Sequence, residues 1–371
     1  MRVAIVAFLV GVLPTAARAD EEGSEVWRSL RFSGYVQAQY ETHSDSENEL
    51  DESGEPLNRD RFLIRRGRVK LRWEGSRFAR LSLETDASSS GVSLKEAEAT
   101  LLFPFSGIDV DITLGLFKVP FGFETLLSSS DNPFLEPSFL TRTFFPGERD
   151  LGLRLRARSS IYDVKMAVIN GNPIGSDFLP GRDPDGTKDL VVRFGIDTER
   201  IDFGVSGQVG KELVPGRAEV SPTTTWIDTD RDAVPDLDEV TTTEAAPAVP
   251  SDDVARWRIG ADLELQLPRS EIYGEIAFSR RAGAAGGPRL GQLAGYFAAV
   301  LRPLPFIGLA LRIEALDPDL RTKDDLQLIA ENALLLVPVS AMTITLAYDM
   351  IFQAASEESR GVFTARAQVR F

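Results

Sequence analysis

Leu151-Gly152-Leu153-Arg154-Leu155-Arg156-Ala157-Arg158 places an apolar residue at every odd position and, from Arg154 onward, an arginine at every even one. A period of two marks a β-strand, whose successive side chains leave opposite faces; a helix would spread the same residues around its circumference. The alternation returns in Arg77-Phe78-Ala79-Arg80-Leu81-Ser82-Leu83-Glu84 and in Trp257-Arg258-Ile259-Gly260-Ala261-Asp262-Leu263-Glu264-Leu265. It recurs over 201–210, 272–279, 307–315 and 342–352, with Gly, Pro, Asp, Asn and Ser between the runs. Counting such runs from residue 30 to the end predicts about sixteen strands.

Both a soluble sandwich and a water-filled barrel use one apolar and one polar face. Strands of nine to eleven residues, when tilted, cross a bilayer, and an even series of them favours closure, which removes the unpaired edges that hydrocarbon would not tolerate. The fold class expected is therefore all-β, a transmembrane antiparallel β-barrel. A composition of 43% hydrophobic and 26% charged residues suits strands that turn only alternate residues to lipid.

Residues 1–19 read as an export signal: Arg2, an apolar run from Val3 to Leu13, then Ala17-Arg18-Ala19 as a small-residue cleavage site. The run is too short for a spanning helix, and residues 20–371 are assigned to the barrel. Zero cysteines leave no disulfide framework, so backbone pairing and packing must supply stability. The formal charge of −15 is concentrated. Glu41 to Asp60 holds eight acids against Arg59, and the long acidic surface loop 211–253 holds eleven against Lys211, Arg217 and Arg231. The remainder is near neutral, so net charge says nothing about what passes through a pore.

Tight connections are expected at Glu74-Gly75-Ser76, Thr198-Glu199-Arg200 and Pro268-Arg269, and long ones over 41–60, 120–149, 170–188 and 211–253. Short periplasmic turns and long outer loops are the habit of outer-membrane barrels. Within the last loop, Asp228, Asp230, Asp232, Asp236 and Glu239 fall at positions 1, 3, 5, 9 and 12, the spacing with which a chain curls its oxygens around Ca²⁺. The stretch also resembles the D-x-D-x-D repeats of thrombospondin type 3 loops. Ala233 stands where Gly usually makes the turn, and the alternative is a plain solvated acidic loop. With His43 as the one histidine and no cysteine, zinc sites built on His and Cys and thiol catalysis are excluded, and no nucleophile has a base beside it. No enzyme, no required cofactor and no nucleic-acid partner is expected.

Val362-Phe363-Thr364-Ala365-Arg366-Ala367-Gln368-Val369-Arg370-Phe371 ends the chain on strict alternation and an aromatic residue. It resembles the terminal signal read by the barrel-assembly machinery of the bacterial outer membrane, with Phe371 as the recognised end. Leu114-Gly115-Leu116-Phe117-Lys118-Val119-Pro120-Phe121-Gly122-Phe123-Glu124, then Ser128-Ser129-Ser130, then Arg149-Asp150-Leu151-Gly152-Leu153, resembles the phosphate-selective porin O and P family. Ile64-Arg65-Arg66-Gly67-Arg68-Val69-Lys70-Leu71 resembles that family's basic second strand. The resemblance implies a homotrimer of sixteen-stranded barrels in the outer-membrane lipid. It also implies a long third loop folded into the lumen and arginines that guide anions.

By alternation, Arg66, Arg68, Lys70 and Arg72 line the water on one strand and Arg154, Arg156 and Arg158 on another, with Lys118, Arg142 and Arg149 at the ends of the long loop. Such a row concentrates anions. The alternative is that these cations pair with Glu84, Asp86, Glu96 and Glu98 and leave little net selectivity. Leu126 to Leu140 contains Asp131 and Glu136 but no Lys or Arg, which argues against a tight grip on phosphate. The leading expectation is a passive porin favouring small anionic solutes. A second is a structural or adhesive surface barrel with a plugged lumen and a calcium-ordered loop, and a third is an exported soluble β protein.

Overall fold

A computed structural model describes residues 29–43, 60–88, 91–171, 186–214, 216, 223–226, 240–243, 248–284, 287–353 and 356–371. The export signal, residues 44–59 and the five acids of the calcium spacing lie outside the described residues.

The first strands are β1 (Leu30–His43), β2 (Arg61–Ser76), β3 (Ala79–Ser88), β4 (Gly91–Phe105), β5 (Ile108–Lys118), β6 (Arg149–Arg158), β7 (Tyr162–Ile169), β8 (Asp189–Asp197) and β9 (Ile201–Val214). A two-stranded hairpin follows, β10 (Thr223–Trp226) with β11 (Val240–Thr243). The chain then completes the wall with β12 (Asp252–Leu267), β13 (Ser270–Arg281), β14 (Leu290–Leu304), β15 (Ile307–Asp317), β16 (Gln327–Val339), β17 (Met342–Gln353) and β18 (Ser356–Arg370). Sixteen strands close into one antiparallel barrel in sequence order, β9 pairing with β12 and β18 returning to β1. At that seam the N–H and C=O of Gly34 and Phe371 exchange hydrogen bonds of 3.0 Å.

Burial is inverted relative to a soluble protein. Arg312 is 1% exposed, Gln37 fully buried, and Phe62 85% exposed. The alternating apolar residues, among them Leu81, Leu83, Leu153 and Leu155, face outward, while their charged neighbours point in. Only a bilayer removes that belt from water, at roughly 25 cal/mol per Å² of apolar surface. Aromatic pairs flank it, Phe32 with Phe371 near the short turns and Tyr40 with Phe62 at the other rim.

Three details differ from the sequence reading. The turn expected at Glu74–Ser76 falls at Arg77-Phe78, so β3 starts at Ala79 rather than Arg77. A bulge between Trp73 and Ser76 absorbs the extra residues, and the Ser76 hydroxyl accepts the Phe78 N–H at 3.1 Å. The β10–β11 hairpin, standing apart from the barrel sheet, had no counterpart in the strand count. On β2 the pairing slips between Gln37 and Ala38, leaving Arg65 as the unpaired bulge residue.

Candidate functional site

Between β5 and β6 the chain makes a short 3₁₀ turn at Glu124–Leu126 and a one-and-a-half-turn helix α1 (Phe139–Phe144). Its polar groups bond inward-facing side chains on β2, β9, β13, β15, β16 and β18. A segment that meets strands so far apart around the wall lies inside the barrel. The entry is set by Gly122, at φ +64, where a Cβ would meet the Glu275 carboxylate at 1.7 Å. Glu275 instead accepts the N–H groups of Phe123 and Glu124 at 3.2 and 3.3 Å, and the Ser206 hydroxyl accepts that of Gly122 at 3.0 Å. This explains the P-F-G order: only glycine adopts that φ without strain and lets the backbone approach so closely.

Glu124 then organises the loop. Its Oε2 accepts from the Ser138 N–H at 2.8 Å, the Ser138 hydroxyl and the Thr141 hydroxyl, and its Oε1 from Arg312 Nη1 at 2.9 Å. Arg312 also pairs with Glu314 and with Glu331, each at 2.8 Å, and donates to the Glu136 carbonyl. The Phe139 N–H donates to Glu314 and that of Leu135 to Glu331. On the opposite side Arg65 holds Glu136 through two bonds of 2.6 and 2.7 Å, and Arg66 adds one of 2.8 Å. The bulge at Arg65 lets two consecutive arginines reach the same carboxylate. Burial alone would raise the Glu136 carboxyl, but Arg66 and Arg65 overcome it and hold the group below its ordinary value.

Apolar side chains fasten the rest. Phe134 and Leu135 pack on Tyr273, Tyr296, Ala298, Val300 and Ala333 of β13, β14 and β16. Phe121, Leu140, Phe144 and Phe145 pack on Ala167, Ile169, Val191 and Ala294. Arg258 lies over Phe144 and Phe145, 5.5 and 5.0 Å from the ring centres. At the exit Glu148 adopts φ +62, an uncommon conformation for a residue with a Cβ. It is held by Lys118 at 2.9 Å, by Arg149 at 3.3 Å and by the Val119 N–H on its carbonyl. Those two cations outweigh burial and keep its carboxyl below the ordinary value.

Nine of the ten cations expected to line the lumen fall on one side, on β2, β5 and β6, and each has an acid beside it; the tenth, Arg142, lies on α1. Arg66 is committed to Glu136, and Arg68 lies 3.1 Å from Asp86 and 3.4 Å from Glu84. Lys70 contacts Glu96, Arg72 lies 4.0 Å from Glu74, and Arg149 lies 3.7 Å from Glu84. Arg154 pairs with Glu98 at 3.7 Å, Arg156 with Asp163 at 2.7 Å and Arg158 with Asp197 at 3.0 Å. Lys118 is turned into the loop, where it also donates to the carbonyls of Thr125 and Leu127. Arg142 is exposed and stacks on Phe139 at 4.9 Å. Sequence reasoning missed Arg65, Arg312, Arg366 and Glu124, which tie the loop to the wall. The broken alternation at Arg65-Arg66 was a signal for the first; nothing local marks Arg312, a single cation on an otherwise ordinary strand.

No protein-family model and no curated protein sequence matches the chain. Solved structures do match its fold. An anion-selective porin from Comamonas acidovorans superposes with a TM-score of 0.62 at 12% identity, over 92% of this chain and 99% of that one. The outer-membrane OmpT of Vibrio cholerae gives 0.61 at 10% identity, over 92% and 97%. The outer-membrane channel DcaP of Acinetobacter baumannii gives 0.59 at 11% identity, over 92% and 97%. At these identities the likeness is one of architecture: the chain has the closed sixteen-strand fold of outer-membrane porins and channels.

Proposed function

We propose that the protein is an outer-membrane diffusion porin, a passive homotrimeric channel for small solutes with a modest preference for anions, and not a catalyst. The observation that carries this reading is a closed barrel with a lipid-facing apolar belt, a charged inner wall and a loop lashed across the interior. Partly buried Lys70, Arg72, Arg154 and Arg156 offer passing anions a succession of weak sites, and their acid partners keep each site weak. That balance supports anion preference over phosphate selectivity, although the motifs shared with the phosphate-selective porin O and P family keep phosphate a solute to test. The alternating C-terminal strand ending at Phe371 supports delivery by the barrel-assembly machinery. Reversal potentials of purified protein in a planar bilayer under a KCl gradient test the reading. Chloride preference with weak competition by phosphate is expected, and cation preference would overturn it.

A second reading, a plugged surface barrel, is favoured by how fully the loop and its partners fill the wall of β13–β17. Absence of conductance would establish it. In either case we propose Ca²⁺ for Asp228, Asp230, Asp232, Asp236 and Glu239. The support is the spacing of these oxygens in the sequence, together with a flanking hairpin that pairs Trp226 with Val240. Calorimetric titration with CaCl₂, abolished in Asp230→Asn with Asp232→Asn, is the expected result.

A further inference from the structure

We propose that the cavity between the tip of the internal loop and the short-turn ends of β14–β18 binds a small organic anion with an apolar body, such as an aromatic or short-chain carboxylate. The proposal rests on the porin reading and names a solute class for it. The cavity has a volume of about 130 Å³. Arg366, Thr345 and Gln368 line it, and beside them on the same wall are Leu335 and Val337, with Pro133 contributed by the loop.

Arg366 carries the argument. It is buried, at 4% exposure, and its two terminal nitrogens donate to the carbonyls of Leu135 and Phe134 at 3.0 and 3.3 Å. Its Nε–H has no acceptor among the described residues, and no carboxylate among them lies within ion-pair distance. Carbonyls satisfy its hydrogens without neutralising its charge. The nearby acids are spent elsewhere: Glu136 on Arg65 and Arg66, Asp131 on Arg370 at 3.0 Å, and Glu271 on Arg302 at 2.5 Å. The two other guanidiniums lining the cavity are thus each compensated, and Arg366 is left as a desolvated cation, which a bound anion would stabilise.

The apolar part of the lining selects among anions. The lining also offers Ser130, Asn132 and Thr343 as donors, but phosphate, with oxygens on every side, would still set some of its oxygens against Pro133, Ile307, Leu335 and Val337. Chloride would use the cation and waste the apolar half. A carboxylate joined to a hydrocarbon body uses both, its oxygens toward Arg366, Thr345 and Gln368 and its carbons toward Pro133, Ile307, Leu335 and Val337. Placed at the short-turn mouth, such a site is a station on the route of a solute leaving the barrel.

The test is the conductance of the purified full-length protein in KCl with sodium benzoate added, against benzyl alcohol and sodium phosphate as controls. Saturable block by benzoate alone is expected. Two variants, each compared with its own unblocked conductance, should raise the half-blocking concentration: Arg366→Gln by roughly tenfold or more, the loss of one charged hydrogen-bond partner, and Val337→Phe by filling the cavity without touching the cation. Equal potency in wild type and both variants, or equal block by benzyl alcohol or phosphate, would overturn the proposal. A protein that conducts no KCl refutes the porin reading instead. In that event, calorimetric titration of benzoate against the same three proteins decides the cavity: binding lost in both variants sustains it, and no binding by wild type ends it.

Discussion

Along β2–β6 the inner wall is built from close charge pairs, Arg68 with Glu84 and Asp86, Lys70 with Glu96, Arg154 with Glu98. Along β13–β17 it is Tyr, Ala, Val and Leu, with Arg312 set among Glu124, Glu314 and Glu331. The first surface carries most of the ion pairs; the second receives most of the loop's apolar side chains. Magnitudes separate the two roles. Each large apolar side chain that the loop buries, such as Phe134, Leu140 or Phe144, contributes roughly 1.5–3 kcal/mol. A desolvated ion pair comes close to breaking even against its lost hydration. The apolar contacts therefore supply the docking energy, and the ion pairs fix where the loop docks.

If that division holds, substitutions on the two walls should produce different phenotypes. The largest effect is expected from Arg312→Met, which leaves three acids facing one another without their cation. About 3–5 kcal/mol of loop anchoring should be lost, read as large, noisy conductance and rapid proteolysis within the loop. A quiet, wild-type channel would break the comparison. Gly122→Ala combines a left-handed φ with a collision at Glu275 and should cost about 1–3 kcal/mol, visible as a lowered Tm and an altered conductance with little change in ion preference. Glu136→Gln acts from the other wall. It releases Arg65 and Arg66, so the reversal potential should move toward anions while the loop, still held by Arg312, stays in place.

Acidification should produce a smaller effect. The carboxyls of Glu136 and Glu148 are held below their ordinary values, so their contribution is fully present above the usual glutamate range. It is lost as pH falls through the depressed values. The share of loop anchoring that these two groups supply should thus be flat across neutral pH and weaken only in strong acid, which channel noise recorded over a pH series for wild type and for Glu136→Gln will check. The smallest change is expected from Arg158→Gln, whose exposed pair with Asp197 contributes at most about 1 kcal/mol; selectivity should shift slightly and Tm hardly at all.

The barrel was legible because period-two alternation is a local signal: Leu151–Arg158 declares both faces of its strand without reference to any neighbour. The side of the wall on which Arg66, Arg68, Arg154 and Arg156 lie followed from the same rule. Of the acids expected as partners, Arg68 takes Glu84 and Asp86 and Arg154 takes Glu98, but Arg66 takes Glu136 of the internal loop and Arg156 takes Asp163, because pairing depends on register and on the path of the loop, and register is set by bulges. The slip that exposes Arg65 and the one that lengthens β2 past Trp73 each depend on a partner strand. The loop anchors were illegible for a further reason. Glu124 and Arg312 are 188 residues apart, and nothing near either one encodes the other.

The seam between Gly34 and Phe371 has a consequence for the order of folding. β1 and β18 are far apart along the chain, so until they pair both edges of an amphipathic sheet remain open, and closure must join distant parts of the chain at an entropic cost. Assembly is therefore a race between self-closure and edge-to-edge association with other chains. Phe371, bonded to the Gly34 backbone and in ring contact with Phe32, adds a side-chain contact to the backbone pairing that closes this seam.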